Sequence, residues 1–123
     1  MQTNESSENY LETILLLSKK RPVVRSVDIA AELNFKKPSV SVAMKKLRLN
    51  NHIQVSPEGY ITLTESGLQI AERVYERHST IFSWLIRLGV SEETAAEDAC
   101  RMEHIISTES FEAIKQHISQ NDK

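Results

Sequence analysis

The stretch SVDIAAELNFKKPSVSVAMKKLRLN, residues 26–50, decides the fold. Val27, Ile29, Ala30 and Leu33 are the apolar positions of a short helix over about 27–33, with Ser26 as its N-cap. Asn34-Phe35-Lys36 makes a tight connection. Pro38 suits the first position of the next helix, which runs to about Asn50 and turns Val40, Ala43, Met44 and Leu47 inward. Two helices joined by three or four residues form a helix-turn-helix. The second opens Lys36-Lys37-Pro38-Ser39-Val40-Ser41, with the cations and small hydroxyls that suit a helix N-terminus meeting phosphates and base edges.

Charge points the same way. Between Glu32 and Glu58 there is no acid, while Lys36, Lys37, Lys45, Lys46 and Arg48 contribute +5. The whole chain carries −2, so the remainder carries −7. A basic segment in an otherwise acidic chain marks a local polyanion-binding face. The plain alternative, a solvated helix face, does not explain why the cations gather on the second helix.

Downstream, His52-Ile53-Gln54-Val55 and Tyr60-Ile61-Thr62-Leu63 flank Ser56-Pro57-Glu58-Gly59, a hairpin signal. A helix-turn-helix followed directly by a hairpin is the winged helix-turn-helix pattern. Upstream, a first helix over about Glu5 to Lys20 carries the stripe Tyr10, Leu11, Ile14, Leu15 and Leu17. Ser6 or Ser7 caps it, and Lys19, Lys20, Arg21 and then Pro22 close it.

The rest reads as helices. Thr64 caps a long one that ends near Leu88 before Gly89, with the stripe Leu68, Ala71, Val74, Tyr75, His78, Ile81, Phe82, Leu85 and Leu88. Ser91, followed by Glu92 and Glu93, caps another to about Ser107. It has a small-residue face of Ala95, Ala96, Ala99 and Cys100 and a second apolar surface of Met102, Ile105 and Ile106. Ser107 or Thr108 opens a last helix with Phe111, Ile114 and Ile118 inward, and the polar tail from Gln116 to Lys123 is expected to fray. The fold class is therefore mainly α: an N-terminal winged helix-turn-helix domain over 1–66 and an all-α dimerisation domain over 67–123. Helices of this size bury little alone, so their spare apolar surface predicts a homodimer.

Composition agrees. A chain of 123 residues with three Gly, three Pro and one Cys allows one domain or two small ones and favours helices. One cysteine excludes an internal disulfide framework and fits a reducing compartment. Residues 1–9 are polar, and no apolar run approaches the ~20 residues of a membrane span. A soluble, cytoplasmic protein with no membrane partner is expected.

Chemistry enters at Ala99-Cys100-Arg101-Met102-Glu103-His104. Cys100, Glu103 and His104 stand at i, i+3 and i+4, on one face of a helix. Thiolate, carboxylate and imidazole are transition-metal ligands. One helix rarely completes a divalent site. Asn9 and Glu12 offer two oxygens at i and i+3 near the N-terminus, and His78 offers an imidazole from the long helix. Read alone, His78 is better taken as a core histidine with a satisfied ring.

The order of winged helix, long connecting helix and Cys-x-x-Glu-His resembles the DtxR/MntR family of metal-dependent transcriptional repressors. The matching stretches are Asn9-Tyr10-Leu11-Glu12-Thr13-Ile14, Asp28-Ile29-Ala30, Pro38-Ser39-Val40-Ser41, Leu63-Thr64-x-x-Gly67, Arg77-His78 and Ala99-Cys100-Arg101-x-Glu103-His104. They cover nearly the whole chain, which looks like the short form lacking the C-terminal SH3-like domain. The resemblance implies a repressor of metal-ion homeostasis: a cytoplasmic homodimer binding a palindromic double-stranded DNA operator when Mn²⁺ or Fe²⁺, one or two ions per subunit, is held. Carried over, the metal ligands are Asn9, Glu12, His78, Cys100, Glu103 and His104. Manganese-type members have Asp at Asn9 and Glu at Cys100. Iron-type members share the Cys but place Met at Asn9 and a basic residue at Glu12. Iron-type members also have a Glu and a His where this chain has Phe82 and Ala96, so their ancillary site is expected to be absent or altered.

DNA contact is expected from Lys36, Lys37, Ser39, Ser41, Lys45 and Lys46. Pro38, Ser39 and Val42 lie nearer the base edges, and Tyr60 or Glu58 at the wing reaches the adjacent backbone in a weak contact, since Glu58 repels phosphate. The first two turns carry no Arg, Asn or Gln, so specificity is expected to lean on dimer spacing and DNA shape. Two other readings stand beside this one. The first is a metal-independent or thiol-sensing winged-helix regulator using Cys100. The second is a small metalloenzyme, which leaves the basic helix unexplained and for which no nucleophile–base pair is present.

Overall fold

Apolar residues spaced three and four apart, with few glycines or prolines to interrupt them, give a mainly helical chain. The computed structural model describes residues 5–120. Among these the order is α1 (Glu5–Lys20), α2 (Ser26–Leu33), α3 (Lys37–Leu49), β1 (Ile53–Val55), β2 (Ile61–Leu63), α4 (Glu65–Arg87), α5 (Glu92–Ile105) and α6 (Thr108–Gln120). Two compact units, Met1–Arg73 and Val74–Lys123, divide the chain, with the division falling inside α4.

The first unit is the winged helix. Leu11, Ile14, Ile29, Val40, Leu47 and Ile53 are almost completely buried at its centre, each stabilising by roughly 1.5–3 kcal/mol relative to exposure. α1 packs on α2 and β2, and α3 packs on α2 and β1. The N-cap of α2 is Arg25, not Ser26. The Asp28 carboxylate accepts the Arg25 N–H at 2.9 Å and is itself held by the Arg21 guanidinium at 2.9 Å. A carboxylate at the third helical position serves the cap residue's own N–H. Of the apolar positions of α2, Ile29 and Ala30 are buried while Val27 is 48% exposed.

α2 ends on Asn34 in the left-handed region (φ 57°), a conformation Asn tolerates, and the Phe35 N–H donates to the Ala30 carbonyl at 3.0 Å. α3 starts at Lys37, one residue earlier than expected. β1 and β2 pair antiparallel in the register Ile53–Leu63, Gln54–Thr62 and Val55–Ile61. The Ile61 N–H donates to the Val24 carbonyl at 2.7 Å, tying the hairpin to the segment before α2. The Thr64 hydroxyl caps α4, accepting the Gly67 N–H at 3.2 Å. Gly67 is obligatory, since a Cβ there would stand 2.0 Å from the His52 carbonyl oxygen.

In the second unit Ile81, Ala99 and Phe111 form the buried centre, with Phe82, Leu85, Met102 and Ile106 packed around it. Ser91 caps α5 by accepting the Thr94 N–H at 3.3 Å. The small-residue face divides: Ala95 and Ala99 are fully buried, while Ala96 and Cys100 are exposed. Each pair is spaced i, i+4, and successive residues on a helix are rotated by about 100°. Leu88 and Ile105 are also exposed, at 64% and 77%. The expected fraying from Gln116 is not seen, as α6 continues to Gln120, and residues 121–123 lie outside the described residues. Among the described residues no helix is long and apolar enough to cross a membrane.

Candidate metal centre and nucleic-acid interface

The 3.6-residue repeat of α5 brings Cys100, Glu103 and His104 to one side. A thiol sulfur, a carboxylate oxygen and an imidazole nitrogen from these three lie within 4.8 Å of one another. α4 contributes His78. Its Nδ1 stands 3.0 Å from Glu103 Oε2, and His104 Nε2 stands 3.1 Å from Glu103 Oε1. The Glu103 side chain is completely buried, that of His104 is 2% exposed and that of His78 is 31% exposed. Phe82 stacks on the His78 ring, with centroids 6.3 Å apart and planes 8° apart, which sets the plane of the imidazole.

Both Glu103 oxygens are buried, and neither accepts a hydrogen bond from any described residue. The imidazole nitrogens are close enough to those oxygens for an ion pair. A buried polar atom left without a partner costs roughly 1–3 kcal/mol, and more for a charge. Nitrogen, oxygen and sulfur donors converging on such a carboxylate have the composition of a divalent transition-metal site. The residues therefore fit a metal.

Asn9 and Glu12 are on α1, in the first unit. Glu12 is buried and Asn9 half-buried, and the Thr13 hydroxyl donates to the Asn9 carbonyl at 2.8 Å. The other four candidate ligands are in the second unit.

On α3, Val40, Met44 and Leu47 at i, i+4 and i+7 are buried, which turns the opposite face outward. Lys36, Lys37, Pro38, Ser39, Ser41, Val42, Lys45 and Lys46 are all exposed, and Val42 is 59% exposed, an apolar side chain held out on a cationic helix. Tyr60, at the wing, is half-buried. Its hydroxyl accepts from Arg25 Nη2 at 3.2 Å, and its ring carries the Arg25 guanidinium at 4.9 Å from the centroid. Arg25 is a surface cation that the sequence reading passed over. It lies before the acid-free segment and close to Asp28, so a charge-run argument does not find it.

The first unit is a winged helix with a cationic, solvent-facing α3, and the second holds a buried carboxylate ringed by metal-type donors. That combination defines a DNA-binding regulator with a metal centre. The profile of the iron dependent repressor N-terminal DNA binding domain matches residues 2–60, and that of the iron dependent repressor metal binding and dimerisation domain matches residues 64–123. The chain belongs to the DtxR/MntR family of metal-dependent repressors, which are not enzymes.

Among its relatives, an HTH-type transcriptional regulator of Methanocaldococcus jannaschii is 38% identical over 115 residues, covering 91% of both chains. The transcriptional regulator MntR of Escherichia coli O157:H7 is 35% identical over 111 residues, covering 90% of this chain and 72% of its own. Of solved structures, the manganese regulator SloR superposes with a TM-score of 0.83 at 27% identity, and IdeR of T. acidophilum with 0.81 at 27%. Each comparison covers 97% of this chain and 55% of the solved one, so this chain spans about half the length of those neighbours.

Proposed function

We propose that the protein is a cytoplasmic transcriptional repressor that binds a palindromic operator as a homodimer when Mn²⁺ or Fe²⁺ is bound. The observation that carries this is the Glu103 carboxylate, buried between two imidazoles and accepting no hydrogen bond from a described residue. Residues 1–66 serve as the DNA-binding domain and 67–123 as the metal-binding and dimerisation domain. The ligand set is His78, Cys100, Glu103 and His104 together with Asn9 and Glu12. Held by these residues, a divalent cation would supply the positive charge that the Glu12 and Glu103 carboxylates call for.

The chain's own residues do the rest. Lys36, Lys37, Lys45 and Lys46 contact phosphates and fix register, Ser41 lies on the same exposed side, and Pro38, Ser39 and Val42 face base edges and thymine methyls. Tyr60 holds the Arg25 guanidinium flat for the adjacent backbone. Two recognition helices reach successive major grooves when about 34 Å apart. Coupling between metal and DNA of about 1–3 kcal/mol per subunit is typical of such switches. Glu12 is the donor that resembles the manganese type. Cys100 is a softer one, which moves preference toward Fe²⁺.

An anisotropy titration on the protein's own promoter DNA, in anaerobic buffer with Mn²⁺, Fe²⁺, Zn²⁺ or no metal, tests the reading. Operator affinity is expected to rise several-fold or more with Mn²⁺ or Fe²⁺. Full affinity without metal supports the metal-independent regulator instead.

A further inference from the structure

We infer that Arg77 is a positioning residue for the metal centre, locking the end of α5 so that Glu103 and His104 meet His78. This rests on the metal reading above. Arg77 is only 9% exposed. Its Nη1 donates to the Glu103 carbonyl at 3.2 Å and to the Ile106 carbonyl at 2.8 Å, and its Nη2 donates to the Thr108 hydroxyl at 3.1 Å. The guanidinium also lies over the Phe111 ring, 5.4 Å from the centroid. One side chain from α4 thus holds the last turn of α5, the connection after it, the first residue of α6 and that helix's buried aromatic.

The chemistry of this arrangement is particular. Carbonyls at a helix C-terminus have no intrahelical donor and carry the negative end of the helix dipole, so a buried cation there is stabilised without a carboxylate. A guanidinium near a buried Glu ordinarily takes it bidentately. Here it takes the Glu103 main chain and none of its side chain, and both Oε atoms stay turned toward the imidazoles. Arg77 therefore fixes Glu103 by its backbone and leaves the carboxylate for a cation from outside. His78 is the next residue on the same helix, so the clamp also sets the distance between α4's imidazole and the α5 donors. A lysine cannot replace it, since an ammonium on a flexible stem lacks the planar fork that spans two carbonyls and a hydroxyl.

The test compares wild type, Arg77→Lys, Arg77→Met and Leu85→Ala. Leu85 packs on the core of the same unit and serves as a destabilised control. Two quantities are read in anaerobic buffer: the Mn²⁺ dissociation constant by calorimetric titration, and backbone hydrogen exchange over residues 103–108 in metal-free protein. Both Arg77 variants should exchange faster at that corner and bind Mn²⁺ about 10–100-fold more weakly, the usual loss when a ligand's support is removed. Leu85→Ala should lower the melting temperature with affinity unchanged. Arg77→Lys keeps the comparison open if Arg77→Met does not fold. Affinity unchanged in the Arg77 variants, or weakened equally in Leu85→Ala, overturns the inference while the metal reading stands. Wild-type protein that binds neither Mn²⁺ nor Fe²⁺ overturns the metal reading, and this role of Arg77 with it.

Discussion

Replacing Glu103 with glutamine should move stability in opposite directions with and without metal. In metal-free protein the carboxylate is fully buried and neither oxygen accepts a hydrogen bond from a described residue. Glutamine has the same shape and no charge, and its amide can donate to an imidazole nitrogen now 3.0 or 3.1 Å away. Removing an unsatisfied buried acceptor recovers roughly 1–3 kcal/mol, so metal-free Glu103→Gln should be more stable than wild type by about 1–2 kcal/mol. Metal reverses the order. At a free concentration of 100 times Kd, wild type gains about 2.7 kcal/mol from a single site. If the substitution weakens binding 100-fold, the same concentration stabilises the variant by only about 0.4 kcal/mol.

Urea denaturation, with and without Mn²⁺ in anaerobic buffer, measures both effects, since a shift in midpoint at constant slope is a shift in stability. The metal-free midpoint should rise and the metal-induced shift should nearly vanish. A metal-free variant less stable than wild type by 1 kcal/mol or more, with its metal shift intact, would refute the reasoning. Glu103 would then be a structural counter-ion for His78 and His104.

Three further outcomes follow from the winged-helix unit. Gly67→Ala should cost about 3 kcal/mol or more, read as a large loss of melting temperature, because the added Cβ meets the His52 main chain. Asn34→Ala should lose about 1 kcal/mol in urea denaturation and Asn34→Gly should lose none, because residue 34 is left-handed. Lys46→Ala should weaken operator binding about equally for all sequences and reduce the salt slope by about 1, measured by anisotropy at several salt concentrations.

Much of the fold was legible because the residues that build it act locally. Val40, Met44 and Leu47 recur at helical spacing and are buried, so α3 could be oriented from its pattern. Thr64 and Ser91 are cap residues by type and do cap. The errors also have local causes. Ser26 is a good cap by type, but the Asp28 carboxylate moves the cap to Arg25. Ala96 and Cys100 are small residues like Ala95 and Ala99, but size does not say which side of α5 meets a core.

The candidate metal centre was legible in its donor types and not in its support. Spacing places Cys100, Glu103 and His104 on one face, and the structure gathers their donor atoms. Spacing does not say whether those atoms are already taken. A Glu and an Arg near each other in a small helical core read most simply as a salt bridge. Had Arg77 taken the Glu103 carboxylate, the side chains of α4 and α5 gathered there would make a structural ion network with little affinity for a cation. The difference lies in which oxygen of Glu103 the guanidinium meets, and it meets the carbonyl. That choice depends on where α5 ends, with Ile106 and Thr108 completing the guanidinium's partners. The helix terminus satisfies the arginine, and the carboxylate it leaves over is what makes the cluster a candidate metal site.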